Sequence, residues 1–158
     1  RLLSPQRIAR LSLESIYMAR YESAAEAEAA FYEAFGKADI DMMLDLWDDA
    51  EDIVCVHPLG GSIQGTRSVY ESWRLGLQQG PVLRFTPRII HCYGDETTSV
   101  HHLYEHISHG HNFEKQSVVL CTNAYRLTDD GWRMVLHHGS PGSSQQSKAG
   151  PKPGGTVH

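Results

Sequence analysis

The sequence predicts an α+β fold in which three helices pack on the concave face of a cone-shaped, curved antiparallel β-sheet. Apolar residues recur at helical spacing up to about residue 80, whereas the chain after Pro81 consists of long strand-like segments. Turn sequences short enough for antiparallel hairpins separate these segments. Helices on one face of such a sheet enclose a pocket.

Three helices are predicted before Pro81. The first ends where residues 36–39, Gly-Lys-Ala-Asp, interrupt the pattern, and the second follows an N-cap at Asp39 or Asp41. The third begins at Thr66 and ends at Gly80. Their apolar faces consist of Ala27, Phe31, Ala34, Phe35 and Ala38, then Ile40, Met43, Leu44 and Trp47, then Val69, Tyr70, Trp73 and Leu77.

Four long strands are predicted after Pro81, at about residues 82–94, 98–111, 115–128 and 132–140. An earlier, shorter apolar strand at residues 53–56 ends on His57 and Pro58 and leads into a Gly-containing loop. Imidazole exchanges a proton near neutral pH, because its ordinary pKa is about 6.5. His57 is therefore the first candidate for chemistry, and the alternative is a histidine bonded to a neighbouring carbonyl.

The pattern predicts one domain at residues 22–140, an N-terminal extension at 1–21 and a disordered Gly/Ser/Pro tail at 141–158. The extension is rich in Arg and Ser, as transit peptides are. The alternatives are a poorly packed leader, or an upstream extension before a start at Met18.

Composition excludes several classes of function. The 158 residues carry a formal net charge of -5 with scattered Lys and Arg, which predicts no nucleic-acid or membrane partner. No apolar run reaches the roughly 18 residues that span a bilayer. Cys55, Cys92 and Cys121 lie in apolar strand-like runs without metal-finger spacing. They predict buried thiols in a reducing, cytoplasmic compartment.

Histidines are concentrated near the second long strand. Alternation places His101, Glu105, His109 and His111 on one face of it and His102, Tyr104, His106 and Ser108 on the other. Strand residues two apart converge on a metal only with help from another segment. We predict no metal and no cofactor, and interpret these histidines as covering a subunit contact or a solvent face.

On the last strand, alternation with Trp132, Met134 and Leu136 predicts that His138 faces the core and His137 points outward. This makes His138 a candidate ligand-binding residue. Tyr125 shares a face with Asn123 and would bring a phenol into the same cavity.

The sequence resembles the nuclear transport factor two-like or ketosteroid isomerase-like superfamily, which includes SnoaL-like polyketide cyclases. The resemblance covers roughly residues 22–140. It rests on residues 36–39, Trp-Asp-Asp-Ala at 47–50, Val-His-Pro at 56–58, Gly-Thr at 65–66 and Gly-Trp at 131–132. The superfamily includes enzymes with many chemistries and non-catalytic members.

The resemblance implies site residues. His57 occupies the place of the isomerase general base, and counting back from Gly131 puts Asn123 in the place of the acid that donates to the oxyanion. An amide donates that hydrogen bond without a perturbed pKa. Phe31 falls where the isomerases carry a tyrosine and cannot donate, so it becomes, with Trp73, a candidate for the pocket wall.

Two hypotheses about function follow. In the first, the protein is an isomerase or lyase acting on a small apolar carbonyl compound, with His57 moving the proton and Asn123 stabilising the oxyanion. In the second, it is a non-catalytic module that binds a ligand or a partner. Both include a homodimer through the sheet, because three helices leave part of the sheet uncovered.

Overall fold

The structure is a computed structural model that describes residues 19–143. Residues 1–18 and 144–158 lie outside the described range, so the boundaries of the extension and the tail remain predictions. The helices are α1 (Ala24–Lys37), α2 (Ile40–Leu46) and α3 (Thr66–Gln79), and the strands are β1 (Val54–Val56), β2 (Ser62–Gln64), β3 (Arg84–Gly94), β4 (Thr98–His109), β5 (Lys115–Thr128) and β6 (Gly131–Pro141). In this range no helix is long and apolar enough to cross a membrane.

Side chains at the helix ends explain where the helices begin. Ser23 caps α1 by accepting a hydrogen bond from the Glu26 backbone N–H. Asp39 caps α2 by accepting from the Met42 N–H at 3.0 Å, which decides between the two predicted caps. Such a cap stabilises a helix by about 1 kcal/mol. Between the two helices Ala38 adopts the left-handed conformation with φ 53°, so the chain turns sharply there.

The six strands form one curved, open sheet in the order β2-β1-β6-β5-β4-β3. The four long strands pair antiparallel, as predicted, while β1 adds a parallel pair with β6 and makes the sheet mixed. The Gly-containing loop after His57 includes β2, which the sequence did not predict as a strand. The three helices complete the predicted α+β cone.

A β-bulge on β6 reverses the predicted orientation of its histidines. Ala124 pairs with Leu136 but Tyr125 pairs with Met134, so Val135 is an extra residue without a partner on β5. The alternation shifts by one residue at that point. His137 is therefore 2% exposed and faces the core, whereas His138 is exposed. The prediction that His138 faces inward was wrong.

The core lies between the helices and the concave face of the sheet. Phe31, Trp47 and Met134 are fully buried there. Cys55 and Cys121 are buried as predicted, but Cys92 is exposed. The prediction for Cys92 was wrong because β3 is the edge of the sheet, and an apolar run at an edge remains open to solvent.

Candidate functional site

A cavity of about 310 Å³ lies between the end of α1, helix α3 and the segment that leads into β3. A cavity of this volume is at the lower end for ligand pockets and fits a small molecule. Among the described residues, those that line it include no Asp, Glu, Lys or Arg. They are Phe35, Ala38, His57, Ser72, Trp73, Gly76, Leu77, Gly80, Pro81 and Leu83.

His57 follows β1 directly and reaches this cavity, where the sequence predicted a titratable group at the strand end. Its Nε2 lies 2.7 Å from the Ser72 hydroxyl and 3.6 Å from the Cys55 sulfur, and its ring packs edge-on against Trp73 with centroids 4.9 Å apart. Burial lowers the pKa of His57 below its ordinary value of 6.5. The imidazole is therefore neutral at pH 7 and can accept a proton.

Ser72 is a site residue that was not predicted from the sequence. It lies on α3, lines the cavity and hydrogen-bonds to His57. Helical spacing indicates its position, because Ser72 comes three residues after Val69 and directly before Trp73. Both of these residues were predicted to lie on the apolar face of the helix. A hydroxyl on that face was a candidate polar group for the pocket.

Asn123, on β5, is fully buried and uses both ends of its amide. Its Oδ1 lies 2.7 Å from Nδ1 of His137, and its Nδ2 donates to the Tyr32 hydroxyl at 3.2 Å. An amide oxygen only accepts, so His137 carries its proton on Nδ1 and keeps a lone pair on Nε2. Asn123 thus holds one tautomer of His137, and it is not among the residues that line the cavity.

His137 connects the two predicted catalytic residues. Its ring centroid lies 6.5 Å from that of His57 and 5.0 Å from that of Phe31, while its Nδ1 bonds to Asn123. Burial, with smaller contributions from His57 and His138, lowers the pKa of His137 to about 3. It is a neutral imidazole, and the bulge that turned it inward is not visible in the sequence pattern.

Two buried carboxylates continue this polar network beneath α1. Glu105 on β4 accepts a hydrogen bond from the Tyr32 hydroxyl at 2.9 Å. Glu28 on α1 accepts from the Tyr125 hydroxyl at 3.1 Å, and its carboxylate lies 2.8 Å from Nδ1 of His101. Burial raises the pKa of Glu105 to about 7, so a large fraction of this group is protonated near neutral pH.

Glu28 was not predicted from the sequence, although a signal for it exists. Glu28 precedes Phe31 by three residues and Tyr32 by four, so helical spacing places a carboxylate on the apolar face of α1. An acid at such a position is rarely buried unless it has partners. The partners, His101 and Tyr125, come from β4 and β5 and are distant in sequence.

Of the remaining predicted ligand-binding residues, one lines the cavity and the others do not. Trp73 lines the cavity, whereas Phe31 is fully buried beside it with its ring centroid 5.5 Å from that of Trp73. Tyr125 shares the inner face with Asn123, as predicted, but is bonded to Glu28. His138 is on the outer face and does not reach the cavity.

The predicted alternation of β4 is confirmed where the strand crosses the core. His101 and Glu105 are buried, whereas His102, Tyr104 and His106 on the other face are half-buried. Within residues 19–143, the side chains that come close enough to share a metal ion are Glu105, Cys121 and His137, and no histidine of β4 is among them.

Comparisons with known proteins agree with the fold of this chain. The sequence profile of the SnoaL-like domain family matches residues 25–144. A structure from Thiobacillus denitrificans, described as a candidate calcium/calmodulin-dependent protein kinase type II association domain, is 31% identical, with 79% of this chain and 99% of that chain covered and a TM-score of 0.74.

Two further structures have the same fold. A candidate dehydratase of the NTF2-like family from Streptomyces avermitilis is 28% identical, with 76% of this chain and 94% of that chain covered and a TM-score of 0.67. A ketosteroid isomerase-like protein from Erwinia carotovora atroseptica is 14% identical, covers 75% and 93% of the two chains, and has a TM-score of 0.61, so it shows the fold alone. No curated protein sequence matches this chain.

Proposed function

The chain belongs to the SnoaL-like domain family, and on that premise we propose that its cavity binds a small, uncharged, largely apolar carbonyl compound on which His57 performs proton transfer, as an isomerase or lyase. One observation carries the proposal: a neutral imidazole, hydrogen-bonded to a hydroxyl, lies in the wall of a cavity lined by apolar groups. A charged ligand would have no lining side chain of opposite charge to offset its loss of hydration.

In this mechanism His57 removes a proton next to the carbonyl group of the ligand and returns it at a different position or to a leaving group. Ser72 lies in the same wall, and its hydroxyl can donate to the developing oxyanion once it turns away from Nε2 of His57, which also frees that nitrogen to accept the proton. The role of oxyanion donor predicted for Asn123 stays a prediction. Its amide already bonds to His137 and Tyr32, so donation to a ligand would require rearrangement of those bonds.

The test compares ligand binding and turnover of neutral carbonyl compounds by wild type, His57→Ala and Ser72→Ala. A thermal-shift screen finds ligands first, because a ligand at 100 times its Kd stabilises a protein by about 2.7 kcal/mol. His57→Ala should abolish turnover and leave affinity within a few-fold, since general base catalysis supplies about a hundred- to ten-thousand-fold in rate. His138→Ala is the matched control, because it removes an exposed imidazole. Wild-type turnover by His57→Ala would contradict the mechanism.

A second candidate function is non-catalytic binding of a ligand or a partner. It is favoured by Phe31, which provides no hydroxyl in the place of the isomerase tyrosine, and by the likeness to a candidate association domain. In that case His57→Ala should weaken binding by the net worth of one neutral hydrogen bond, about 0.5–1.5 kcal/mol, and no compound should turn over. Turnover by wild type and its loss in His57→Ala therefore separate the two functions, because the expected changes in affinity overlap.

The proposed assembly is a homodimer through the outer face of the sheet. Half-buried side chains on that face include Tyr104, Leu120 and Leu136, which come from three adjacent strands. Pairing this face with its copy would remove that apolar surface from water. Sedimentation should give a dimer for wild type and a monomer for Tyr104→Glu, which places a charge in the contact. A wild-type monomer at micromolar concentration would contradict this assembly.

A further inference from the structure

Beneath the cavity, three different metal-ligating side chains converge from three adjacent strands. They are Glu105 on β4, Cys121 on β5 and His137 on β6. One donor atom from each residue lies within 4.8 Å of the other two, and all three side chains are buried. The proposed proton transfer does not use this cluster as a whole, so the cluster requires a separate explanation.

We propose that Glu105, Cys121 and His137 bind one divalent transition-metal ion of the zinc class. A carboxylate, a thiolate and an imidazole together form the borderline donor set that such an ion prefers over magnesium or calcium. Metal–donor bonds of about 2.0–2.3 Å place the donors of a tetrahedral site roughly 3.3–3.8 Å apart. The donors here need to approach by about 1–1.5 Å from their present limit of 4.8 Å.

The groups around the cluster are arranged as supports for metal ligands. The Asn123 amide oxygen accepts from Nδ1 of His137 and thereby leaves the Nε2 lone pair for an ion. The Tyr32 hydroxyl donates to Oε1 of Glu105 and orients that carboxylate. Ligating histidines usually have their second nitrogen fixed in this way.

Binding of the ion would replace the protons of its acidic ligands, and proton release on binding is typical of thiolate and carboxylate sites. The three side chains supply three of the four donors of a tetrahedral ion, and the fourth position is left for a donor such as water.

The full-length protein provides a direct test when it is expressed in zinc-free medium supplemented with cobalt. We expect one equivalent of cobalt, with the visible bands of a tetrahedral ion and an ultraviolet thiolate-to-cobalt charge-transfer band. Cys121→Ser should lose the charge-transfer band. The matched controls Cys92→Ser and Cys55→Ser should keep it, and the second of these removes the thiol next to His57.

A second measurement does not depend on any variant that folds poorly. X-ray absorption at the metal edge of the wild-type protein should show one sulfur at about 2.3 Å and nitrogen or oxygen at about 2.0–2.2 Å. Less than stoichiometric metal, a first shell without sulfur, or a charge-transfer band that persists in folded Cys121→Ser would each overturn the proposal.

Discussion

Asn123 joins α1 to the sheet through its hydrogen bonds. Replacing it with leucine should therefore lower the free energy of unfolding, whether or not a ligand is bound. The amide is fully buried and serves two partners, Nδ1 of His137 at 2.7 Å and the Tyr32 hydroxyl at 3.2 Å. Asn123→Leu leaves the His137 N–H without an acceptor in a site closed to water. It also removes the N–H that the Tyr32 hydroxyl accepts.

The magnitude follows from these two bonds. An orphaned buried donor costs about 1–3 kcal/mol, and loss of the second bond costs about 0.5–1.5 kcal/mol more. The apolar surface of leucine recovers part of this, so we expect a net loss of about 2–3 kcal/mol in the free energy of unfolding. Because domains are stable by only about 5–15 kcal/mol, such a change is easily measured.

Urea denaturation at pH 7, followed by tryptophan fluorescence with a chelator present, measures the effect of Asn123→Leu. Thr122→Val is the matched control, since Thr122 is the preceding residue, is half-buried on the outer face, and has a long hydrogen bond of 3.4 Å with His102. Combining Asn123→Leu with Tyr32→Phe should reveal a coupling of about 1 kcal/mol. A loss no greater than that of Thr122→Val would refute the reasoning.

Three further predictions concern acidity, packing and the C-terminal segment. Burial lowers the folded-state pKa of His57. The stability that this residue contributes is therefore complete above its unfolded pKa of about 6.5 and declines as pH falls toward its folded pKa. The urea midpoints at pH 7 and pH 5 should differ less for His57→Gln than for wild type. Phe31→Ala should lower the free energy of unfolding by about 3–5 kcal/mol in the same assay, because the ring is fully buried against Trp73 and His137. A loss under about 1 kcal/mol would mean that the site is loosely packed. Removing residues 144–158 should leave Tm unchanged, whereas removing 139–158 takes away the end of β6 and should lower it; calorimetry of the two truncated chains decides.

Local periodicity was sufficient to predict most of the architecture. The bounds of α3 and of the long strands follow from residues that are neighbours in sequence, because helical and strand spacing act over a few residues. His57 was found in the same way, as a titratable residue that ends an apolar strand before a proline. The N-cap at Asp39 was one of two local alternatives, and its hydrogen bond with the Met42 backbone N–H identifies it.

The rest of the site depends on contacts between residues distant in sequence. His137 faces inward because the unpaired Val135 shifts the alternation of β6, and a bulge is defined only against the partner strand. Cys92 is exposed because β3 is the last strand in the sheet, and strand order cannot be read from one strand. Within the chain itself, spacing determined the secondary structure and the position of His57. Only the tertiary structure placed Glu105, Cys121 and His137 together, because pairing between strands sets their distances.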